Sequence, residues 1–326
     1  MTLLLLLGGL ALLLAGGTAL VSGASSVASR LGVPPLVIGL TVLAFGTSSP
    51  ELVVNVVGAL RGETALAFGN VAGSNLTNIG LVLGLAALVK PVSIEGSIVR
   101  REIPLLLLGT SVLIVMLLDT PLRAAPAVLD ASDALILLLL FTVFAYITVS
   151  DVLFKRQDAL LANVRELEDT LPPPQSMSPK TGVILIIAGI VGLSIGGHLT
   201  IVHGASMATA LGVPPVIIGM LIVGVGTSLP ELVTSVIAAV RNESDLCVGN
   251  VVGSNIFNAL IVLPASALVR PLPIPAGGIQ DICMSLLFAA IIIPVFLYRN
   301  SRMGRGTGAV FIGAFVAYMA YRALSA

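Results

Sequence analysis

Two short polar segments of the chain have the residue types of a cation site. Residues 46–51 read Gly-Thr-Ser-Ser-Pro-Glu and residues 226–231 read Gly-Thr-Ser-Leu-Pro-Glu, and each segment interrupts a long apolar run. A charged acid at the centre of a membrane helix costs at least about 2.5–3.5 kcal/mol on insertion scales, so acids in such positions usually serve a function. Two of them at matching positions, Glu51 and Glu231, indicate an intramembrane site.

The composition is that of a polytopic membrane protein. Of the 326 residues, 57% are hydrophobic and 10% are charged, and the mean hydropathy is +1.10, which is too apolar for one soluble core. The 16 basic and 16 acidic residues cancel, so no role in nucleic-acid binding is indicated. Cys247 and Cys283 lack metal-binding or redox spacing and are predicted to be inert thiols.

Ten runs of about 20 mostly apolar residues, the length that crosses the hydrocarbon layer, can be placed along the chain. The first is interpreted as a transmembrane helix and not a signal peptide, because it lacks a basic n-region and further spans follow. The predicted spans are Thr2–Ser22, Pro34–Leu60, Thr64–Val89, Ile103–Leu118, Ala134–Val152, Gly182–Val202, Pro214–Val240, Leu246–Val269, Ile282–Tyr298 and Gly306–Tyr321.

A polar segment, Lys155–Lys180, divides these spans into five and five. It carries charges of both signs and three consecutive prolines, as solvated linkers do, and it has no EF-hand pattern that would indicate a regulatory Ca²⁺ site. The predicted domains are a first repeat, residues 1–154, a cytoplasmic linker, residues 155–180, and a second repeat, residues 181–326.

The two halves repeat each other. Residues 31–35 recur as residues 211–215, and residues 69–75 recur with one substitution as residues 249–255, in both cases 180 positions later. This is an internal duplication. Because each repeat has an odd number of spans, the second copy enters the membrane from the opposite side. The predicted fold is all-α, with ten transmembrane helices in two inverted five-helix repeats, an arrangement typical of transporters with a midplane substrate site.

The basic residues predict the orientation of the chain. If the linker is cytoplasmic, twelve of the sixteen Lys and Arg residues lie in inside loops, and only Arg61, Arg123, Arg270 and Arg322 lie outside. Both termini are therefore predicted to face away from the cytoplasm.

The chemistry of the site follows from the depth of its two acids. Glu51 and Glu231 are the only acids deep within the predicted spans, and no Lys or Arg lies at comparable depth. Such carboxylates must either be protonated or hold a cation. Thr47 and Thr227 each lie four residues before a glutamate, which places their hydroxyls on the face of the carboxylate if the segment is helical.

The prolines of both motifs should add further oxygen ligands. Pro50 and Pro230 are expected to break their helices and so to free backbone carbonyls from Ala44 to Gly46 and from Gly224 to Gly226. Carboxylate, hydroxyl and carbonyl oxygens are the ligands that Ca²⁺ takes, and Na⁺ accepts the same donors.

The span after each glutamate supplies more polar side chains. Ser74 and Asn78 are four residues apart and share a helix face, as do Ser254 and Asn258, and Asn75 and Asn255 lie beside them. Asn70 and Asn250 fit a helix cap as well as an ion ligand.

Structural explanations compete with these assignments. A Ser or Thr in a membrane helix often bonds back to its own backbone, and the Gly-x-x-x-Gly spacings at 69–73 and 249–253 are typical of close helix packing. His198 and His203 are five residues apart and off one helical face, so a metal pair is not indicated.

Taken together, the motifs resemble those of a known family. Two copies of Gly-Thr-Ser-x-Pro-Glu, each followed by Gly-Asn-x-x-Gly-Ser-Asn, are similar to the paired alpha-repeats of the calcium/cation antiporter superfamily, specifically the sodium/calcium exchanger family and its short prokaryotic members. The resemblance implies a secondary antiporter of Na⁺ and Ca²⁺ in the prokaryotic inner membrane. It implies no enzymatic activity, no permanently bound cofactor and a chain that functions as a monomer in the lipid bilayer.

The resemblance also implies roles for individual residues. Glu51 and Glu231 would be carboxylates shared by Ca²⁺ and Na⁺, with Thr47 and Thr227 beside them at the Ca²⁺ site. The other ligands would be the flanking Na⁺-site residues Ser48, Ser228, Ser74 and Ser254, the backbone carbonyls of Ala44 and Gly224, and the amides Asn78 and Asn258 at the middle position. Some exchangers carry Asp where this chain has Asn258, so this site has two acids and not three. In the family the first and sixth helices are thought to slide across the other eight.

Two alternatives remain open from the sequence. A proton-coupled Ca²⁺ exchanger of the same architecture would protonate Glu51 and Glu231 in place of binding Na⁺, although the relatives that do so lack the Gly-Thr-Ser-x-Pro-Glu motif. An intramembrane hydrolase would need paired Asp, a Ser/His pair or a His/Glu metal motif, and the sequence has no convincing example.

Overall fold

The computed structural model describes residues 1–93, 96, 98–124, 126–163, 177–212, 225–298 and 301–325. In this part of the chain, helices of fifteen residues or more occupy the positions of all ten predicted spans. They are α1 Thr2–Leu31, α2 Pro35–Arg61, α3 Thr64–Val89, α4 Ile103–Leu117, α5 Ala131–Asn163, α6 Pro179–Ala210, α7 Gly226–Val240, α8 Ser244–Val269, α9 Gly278–Tyr298 and α10 Arg305–Ser325.

Eight of these helices are long and apolar enough to cross a membrane by themselves. The other two are α4 and α7. A π-helical turn, Ile98–Glu102, extends α4 at its start. Residues 213–224, which precede α7 and include most of the first half of the predicted span Pro214–Val240, lie outside the described residues.

Several helices are longer than their predicted spans. Helix α1 has 30 residues and α6 has 32, whereas about 20 suffice to cross the hydrocarbon layer. Helix α5 continues to Asn163, into the segment predicted as linker, of which residues 164–176 lie outside the described residues. Hydropathy detects only the lipid-embedded part of a helix, so helical turns beyond the bilayer were not predicted.

Helices α1 and α6 pack against each other through glycines. These glycines recur every seventh residue and meet in antiparallel order, as Gly9 with Gly196, Gly16 with Gly189, and Gly23 with Gly182. A Cβ atom at Gly16 would lie 2.8 Å from the Leu193 backbone nitrogen, and one at Gly23 would lie 2.6 Å from the Gly182 carbonyl oxygen. The two backbones are therefore in direct contact, as small residues allow between membrane helices.

Two minimal sheets connect the repeats at their loops. Strand β1, Val92–Ser93, pairs antiparallel with β4, Arg302–Met303, and β2, Val128–Leu129, pairs antiparallel with β3, Leu272–Pro273. The first sheet joins the α3–α4 loop to the α9–α10 loop, and the second sheet joins the α4–α5 loop to the α8–α9 loop. This pairing is what two five-helix repeats of opposite orientation require.

The centre of the molecule is formed by α2, α3, α7 and α8. Helix α8 is buried along nearly its whole length and α3 along most of it. Small residues allow this contact: a Cβ atom at Gly253 would lie 2.7 Å from the Leu40 carbonyl oxygen, and one at Gly249 would lie 2.8 Å from that of Leu36. The Gly-x-x-x-Gly spacing of α8 therefore serves helix packing, as the structural explanation predicted.

Candidate cation-binding site

The two glutamates of the repeated motif are both buried at this centre. Glu51 is 1% exposed on α2 and Glu231 is 0% exposed in the first turn of α7. Ser48, three residues before Glu51 on α2, donates a hydrogen bond to the Glu231 carboxylate. Each repeat thus contributes one acid to a single cluster.

The prolines act differently in the two repeats. Helix α7 begins with a 3₁₀ turn, Gly226–Ser228, and Pro230 lies in the first turn of the α-helical part that follows, Leu229–Val240. Pro50 lies inside a continuous α-helical segment, Ala44–Arg61, so the prediction that it breaks the helix was wrong. A π-helical segment, Gly39–Leu43, directly precedes this α-helical segment. Such segments are frequent at functional sites.

The backbone carbonyls predicted as ligands are only partly described. The Ala44 carbonyl is 3.4 Å from the Thr47 hydroxyl, which places it inside the polar cluster. Pro50 has no N–H to donate to the Gly46 carbonyl, its normal helical partner. Gly224, the predicted ligand of the second repeat, lies outside the described residues.

The hydroxyls of the first motif face the acid of the second repeat. Ser48 Oγ donates a 2.9 Å hydrogen bond to Glu231 Oε1. The hydroxyls of Thr47 and Ser254 also lie near the Glu231 carboxylate. The i,i+4 spacing predicted Thr47 on the face of Glu51; its hydroxyl forms its shortest hydrogen bond to Asn250 of the second repeat and a longer one to the Ala44 carbonyl of its own helix.

Polar atoms elsewhere in the cluster have no hydrogen-bond partner. Among the described residues, neither oxygen of Glu51 accepts a hydrogen bond, and Ser228 Oγ, the counterpart of Ser48 Oγ, is also without a partner. Asn258 is 0% exposed and both polar atoms of its amide are unpartnered. Buried polar atoms are nearly always satisfied in proteins, so unsatisfied oxygens grouped around an acid indicate space for a cation.

The threonines of both motifs bond to asparagines of the opposite repeat. Thr47 Oγ1 donates to Asn250 Oδ1 at 3.1 Å, and Thr227 Oγ1 donates to Asn70 Oδ1 at 3.1 Å. Ser254 and Ser74 lie 3.4 Å from Thr47 and Thr227, respectively. The threonine and serine side chains predicted from the sequence are therefore brought together as two related groups, one for each repeat.

Three asparagine side chains join α3 and α8. Asn75 Nδ2 donates to the Asn255 carbonyl at 3.3 Å, and Asn255 Nδ2 donates to the Asn75 carbonyl at 3.0 Å. Asn78 Nδ2 bonds to Asn255 Oδ1 at 3.0 Å. Asn78 and Asn258 each begin a π-helical segment, so the helix widens at both predicted middle positions. The reciprocal pair Asn75/Asn255 lies where the two repeats meet.

Two members of the cluster, Asn55 and Ser235, were not predicted from the sequence. Asn70 Nδ2 donates to Asn55 Oδ1 at 3.2 Å, and Asn250 Nδ2 donates to Ser235 Oγ at 3.0 Å. Asn55 and Ser235 are 1% and 0% exposed and occupy the same repeat position, 180 residues apart. Applying the duplication register to every polar residue within the spans would have found them.

The donor set suits a hard cation. Among the described residues no three His, Cys, Asp or Glu side chains come together, and the groups around the two carboxylates are hydroxyls and amides. Oxygen ligands of this kind suit Na⁺ and Ca²⁺, whereas transition metals favour imidazole and thiolate.

Comparison with known proteins agrees with this chemistry. The family model for the sodium/calcium exchanger protein matches residues 1–150 and 181–324. The chain is 35% identical to the putative antiporter CaxA of Alkalimonas amylolytica, over 95% of both chains. It is 34% identical to the inner membrane protein YrbG of Escherichia coli, over 97% of this chain and 95% of the relative. It is also 28% identical to the sodium/calcium exchanger MaX1 of Methanosarcina acetivorans, over 97% of both chains.

Solved structures of the sodium-calcium exchanger NCX_Mj have the same fold. One of them superposes with a TM-score of 0.81 at 29% identity, covering 98% of both chains. The predicted ten-helix architecture with inverted repeats is confirmed by this match. The family consists of exchangers and not of enzymes, which argues against an intramembrane hydrolase. The chain is a short prokaryotic member of the sodium/calcium exchanger family, whose members are membrane antiporters of Ca²⁺ and other cations.

Proposed function

We propose that this protein exchanges Na⁺ for Ca²⁺ across the inner membrane by alternating access, with both ions bound in turn at the cluster around Glu51 and Glu231. One observation carries the proposal. Two carboxylates from opposite repeats are fully buried in one polar cluster, and no Lys or Arg among the described residues forms an ion pair with either. Buried like charges are costly unless a cation neutralises them.

The ligands of the proposed site are the residues predicted from the sequence. The unpartnered oxygens of Glu51, Ser228 and Asn258 are open to an ion without the loss of an existing hydrogen bond. Around Glu231, the acid of the second repeat, the proposed ligands are Ser48, Thr47 and the Ala44 carbonyl. The remaining proposed ligands are Thr227, Ser74, Ser254, Asn78 and the Gly224 carbonyl. Ca²⁺ takes about six to eight such oxygens, and the set is large enough to supply them.

Charge competition would couple the two ions. Two carboxylates supply two negative charges, which one Ca²⁺ or two or more Na⁺ can neutralise. An empty site leaves the charges unpaired, so the unloaded protein should resist the conformational change that carries the site across the membrane. Each crossing then requires a bound ion, which is the condition for exchange.

Helices α1 and α6 are the proposed moving part. Their backbones touch along the glycine seam, whereas their other faces are formed mostly by aliphatic residues. We infer that they move as one unit past the remaining helices. One chain supplies both halves of the site, so we propose that a monomer is functional.

The orientation is also part of the proposal. With the linker on the cytoplasmic side, both termini face away from the cytoplasm and the exchanger would export Ca²⁺ from a prokaryotic cell. A reporter domain fused after Ala326 that is active only on the non-cytoplasmic side would support this orientation, and one active only in the cytoplasm would contradict it.

Equilibrium binding tests the site itself. We expect purified protein to bind ⁴⁵Ca²⁺ at constant pH, and Na⁺ to displace it with a dependence steeper than first power because more than one Na⁺ replaces each Ca²⁺. Glu51→Gln and Glu231→Gln should both lose binding. Glu63→Gln, at the exposed α2–α3 turn, is the matched control and should bind normally. Displacement by protons with no effect of Na⁺ would instead favour the proton-coupled alternative.

A further inference from the structure

A bound cation would not satisfy every unpartnered atom of the cluster. Asn258 Nδ2 carries only hydrogen-bond donors, and a donor does not coordinate a cation. The Asn258 side chain is 0% exposed, and among the described residues its Nδ2 has no acceptor. In the same part of the chain Asn75 Oδ1, on a side chain that is 3% exposed, accepts from no donor. A buried donor and a buried acceptor left unpaired are both costly, so the two atoms need a common explanation.

The repeat-related atoms of this pair do form a hydrogen bond. A shift of 180 residues relates Asn258 to Asn78 and Asn75 to Asn255. Asn78 Nδ2 donates to Asn255 Oδ1 at 3.0 Å. The duplication therefore supplies two equivalent donor–acceptor pairs, and the described residues form the bond of one pair and not of the other.

Backbone carbonyls fix the orientation of the two central amides. Asn255 Nδ2 donates to the Asn75 carbonyl at 3.0 Å, and Asn75 Nδ2 donates to the Asn255 carbonyl at 3.3 Å. A carbonyl can only accept, so a flip of either amide would place oxygen against oxygen. The side-chain oxygens of Asn75 and Asn255 are thus both held as acceptors, for which the repeat-related donors are Asn258 Nδ2 and Asn78 Nδ2.

The inverted symmetry of the repeats gives a reason why one bond is formed without the other. A pseudo-two-fold axis in the membrane plane exchanges the two sides of the membrane together with the two repeats. The conformations open to opposite sides are therefore related by an exchange of the local arrangements of the repeats. A bond that the first repeat donates in one conformation is expected to be donated by the second repeat in the other.

We propose that Asn75 and Asn255 are a positioning pair that holds Asn78 and Asn258 alternately. Asn78 bonds to Asn255 in the conformation described here, and Asn258 bonds to Asn75 in the conformation that faces the opposite side of the membrane. This inference rests on the proposed function, because it assumes that the site alternates between the two sides. Each bond stabilises one conformation, and their equivalence keeps both conformations accessible.

Removing one donor at a time tests the pair, because the two losses have opposite effects. The reporter is the α7–α8 turn, residues 241–244, where Glu243 accepts a hydrogen bond from Ser25 of the proposed moving helix α1. In ion-free buffer, where a lost ion ligand has no effect, Asn78→Leu should destabilise the described conformation and speed amide exchange at this turn by about fivefold. Asn258→Leu should destabilise the opposite conformation and slow the exchange by a similar factor. Changes in the same direction, or no change in either variant, would overturn the proposal.

A double variant separates alternating bonds from a simple loss of packing. Asn78→Leu combined with Asn258→Leu lacks both bonds, so the exchange rate should return to within about twofold of that of the unmodified protein. A rate as fast as that of Asn78→Leu alone would contradict the proposal. If a leucine variant does not fold, Asn78→Ala and Asn258→Ala take its place and must show the same opposite changes. Thr142→Val is the control and should leave the rate unchanged, because the Thr142 hydroxyl bonds to the Leu138 carbonyl of its own helix.

Ion exchange by the unmodified protein distinguishes this inference from the proposed function. If the unmodified protein shows no Na⁺-dependent ⁴⁵Ca²⁺ uptake, the proposed function fails and this inference fails with it. If uptake is present but the two leucine variants shift amide exchange in the same direction, only the positioning pair is overturned.

Discussion

Ser48 Oγ on α2 lies 2.9 Å from Glu231 Oε1 on α7, so the hydroxyl of one repeat serves the acid of the other. The repeat-related pair, Ser228 and Glu51, forms no such bond in the described part of the chain. The site is thus built from symmetric residues in an asymmetric arrangement: a serine hydroxyl donates to Glu231, whereas no side chain of the described residues donates to Glu51.

This asymmetry predicts different costs for two equivalent substitutions. Ser48→Ala removes a buried hydrogen bond to a carboxylate and should destabilise the ion-free protein by about 1.5–3 kcal/mol. Ser228→Ala removes a hydroxyl without a partner and should have a much smaller effect. Thermal unfolding of the two variants in ion-free detergent buffer measures the difference, and equal losses would contradict the arrangement.

Ca²⁺ should stabilise the protein through the same carboxylates. At a Ca²⁺ concentration of one hundred times Kd, binding to the folded state alone adds about 2.7 kcal/mol of stability. Glu51→Gln should lose this gain and, because it removes one of two repelling acids, should unfold no more easily than the unmodified protein when ions are absent. In calorimetry, Glu63→Gln should keep the full response to Ca²⁺. A Ca²⁺ response retained by Glu51→Gln would rule out Glu51 as a ligand.

The glycine seam between α1 and α6 predicts a strong dependence on position. Gly16→Ala places a methyl group 2.8 Å from the Leu193 backbone nitrogen, and the overpacking should cost about 1–3 kcal/mol. Gly8→Ala, on the same helix with no atom within 4 Å of its Cβ position, should be neutral or slightly stabilising. Thermal unfolding decides the point, and similar results for the two variants would show that the seam is not closely packed.

Two side-chain hydrogen bonds join α1 to the α7–α8 turn, and among the described residues no equivalent bonds join α6 to the α2–α3 turn. Ser25 Oγ donates to Glu243 Oε1 at 2.8 Å, and Arg241 Nη1 donates to Ser22 Oγ at 2.5 Å. The repeat-related residues of α6, Val202 and Ala205, have no hydroxyl. A moving α1 must break these bonds, so they favour the conformation described here.

Hydrogen exchange at this turn tests the connection. Replacing Ser22 and Ser25 together by Ala should speed amide exchange at residues 241–244 by about fivefold, as expected for the loss of about 1 kcal/mol of local stability. Residues 61–64, the equivalent turn of the first repeat, should be unaffected and provide the internal reference. No change at residues 241–244 would mean that the serines do not hold the turn.

Hydropathy, depth and duplication were sufficient to predict the fold and the central residues. Ten spans follow from apolar run lengths, and the inverted relationship follows from the odd number of spans in each repeat. Glu51 and Glu231 are identifiable because an acid deep within an apolar run is costly. Each of these arguments uses spacing along the chain, which the sequence contains directly.

Contacts between helices could not be predicted in the same way. Spacing placed Thr47 beside Glu51, because i and i+4 share a face, but which helix that face meets depends on packing. The hydroxyl of Thr47 contacts Asn250. Pro50 was expected to break its helix, yet the α-helical segment Ala44–Arg61 continues through it. The repeat spacing of 180 residues relates Asn55 to Ser235, but their hydrogen bonds to Asn70 and Asn250 join different helices and could not be predicted from it.

The most direct test of the central claim is ⁴⁵Ca²⁺ uptake into proteoliposomes loaded with Na⁺, compared with liposomes loaded with choline or carrying only a pH gradient. The account predicts uptake that requires the outward Na⁺ gradient, disappears in Glu51→Gln and Glu231→Gln, and persists in Glu63→Gln. Uptake driven by the pH gradient alone and unaffected by Na⁺ would contradict it.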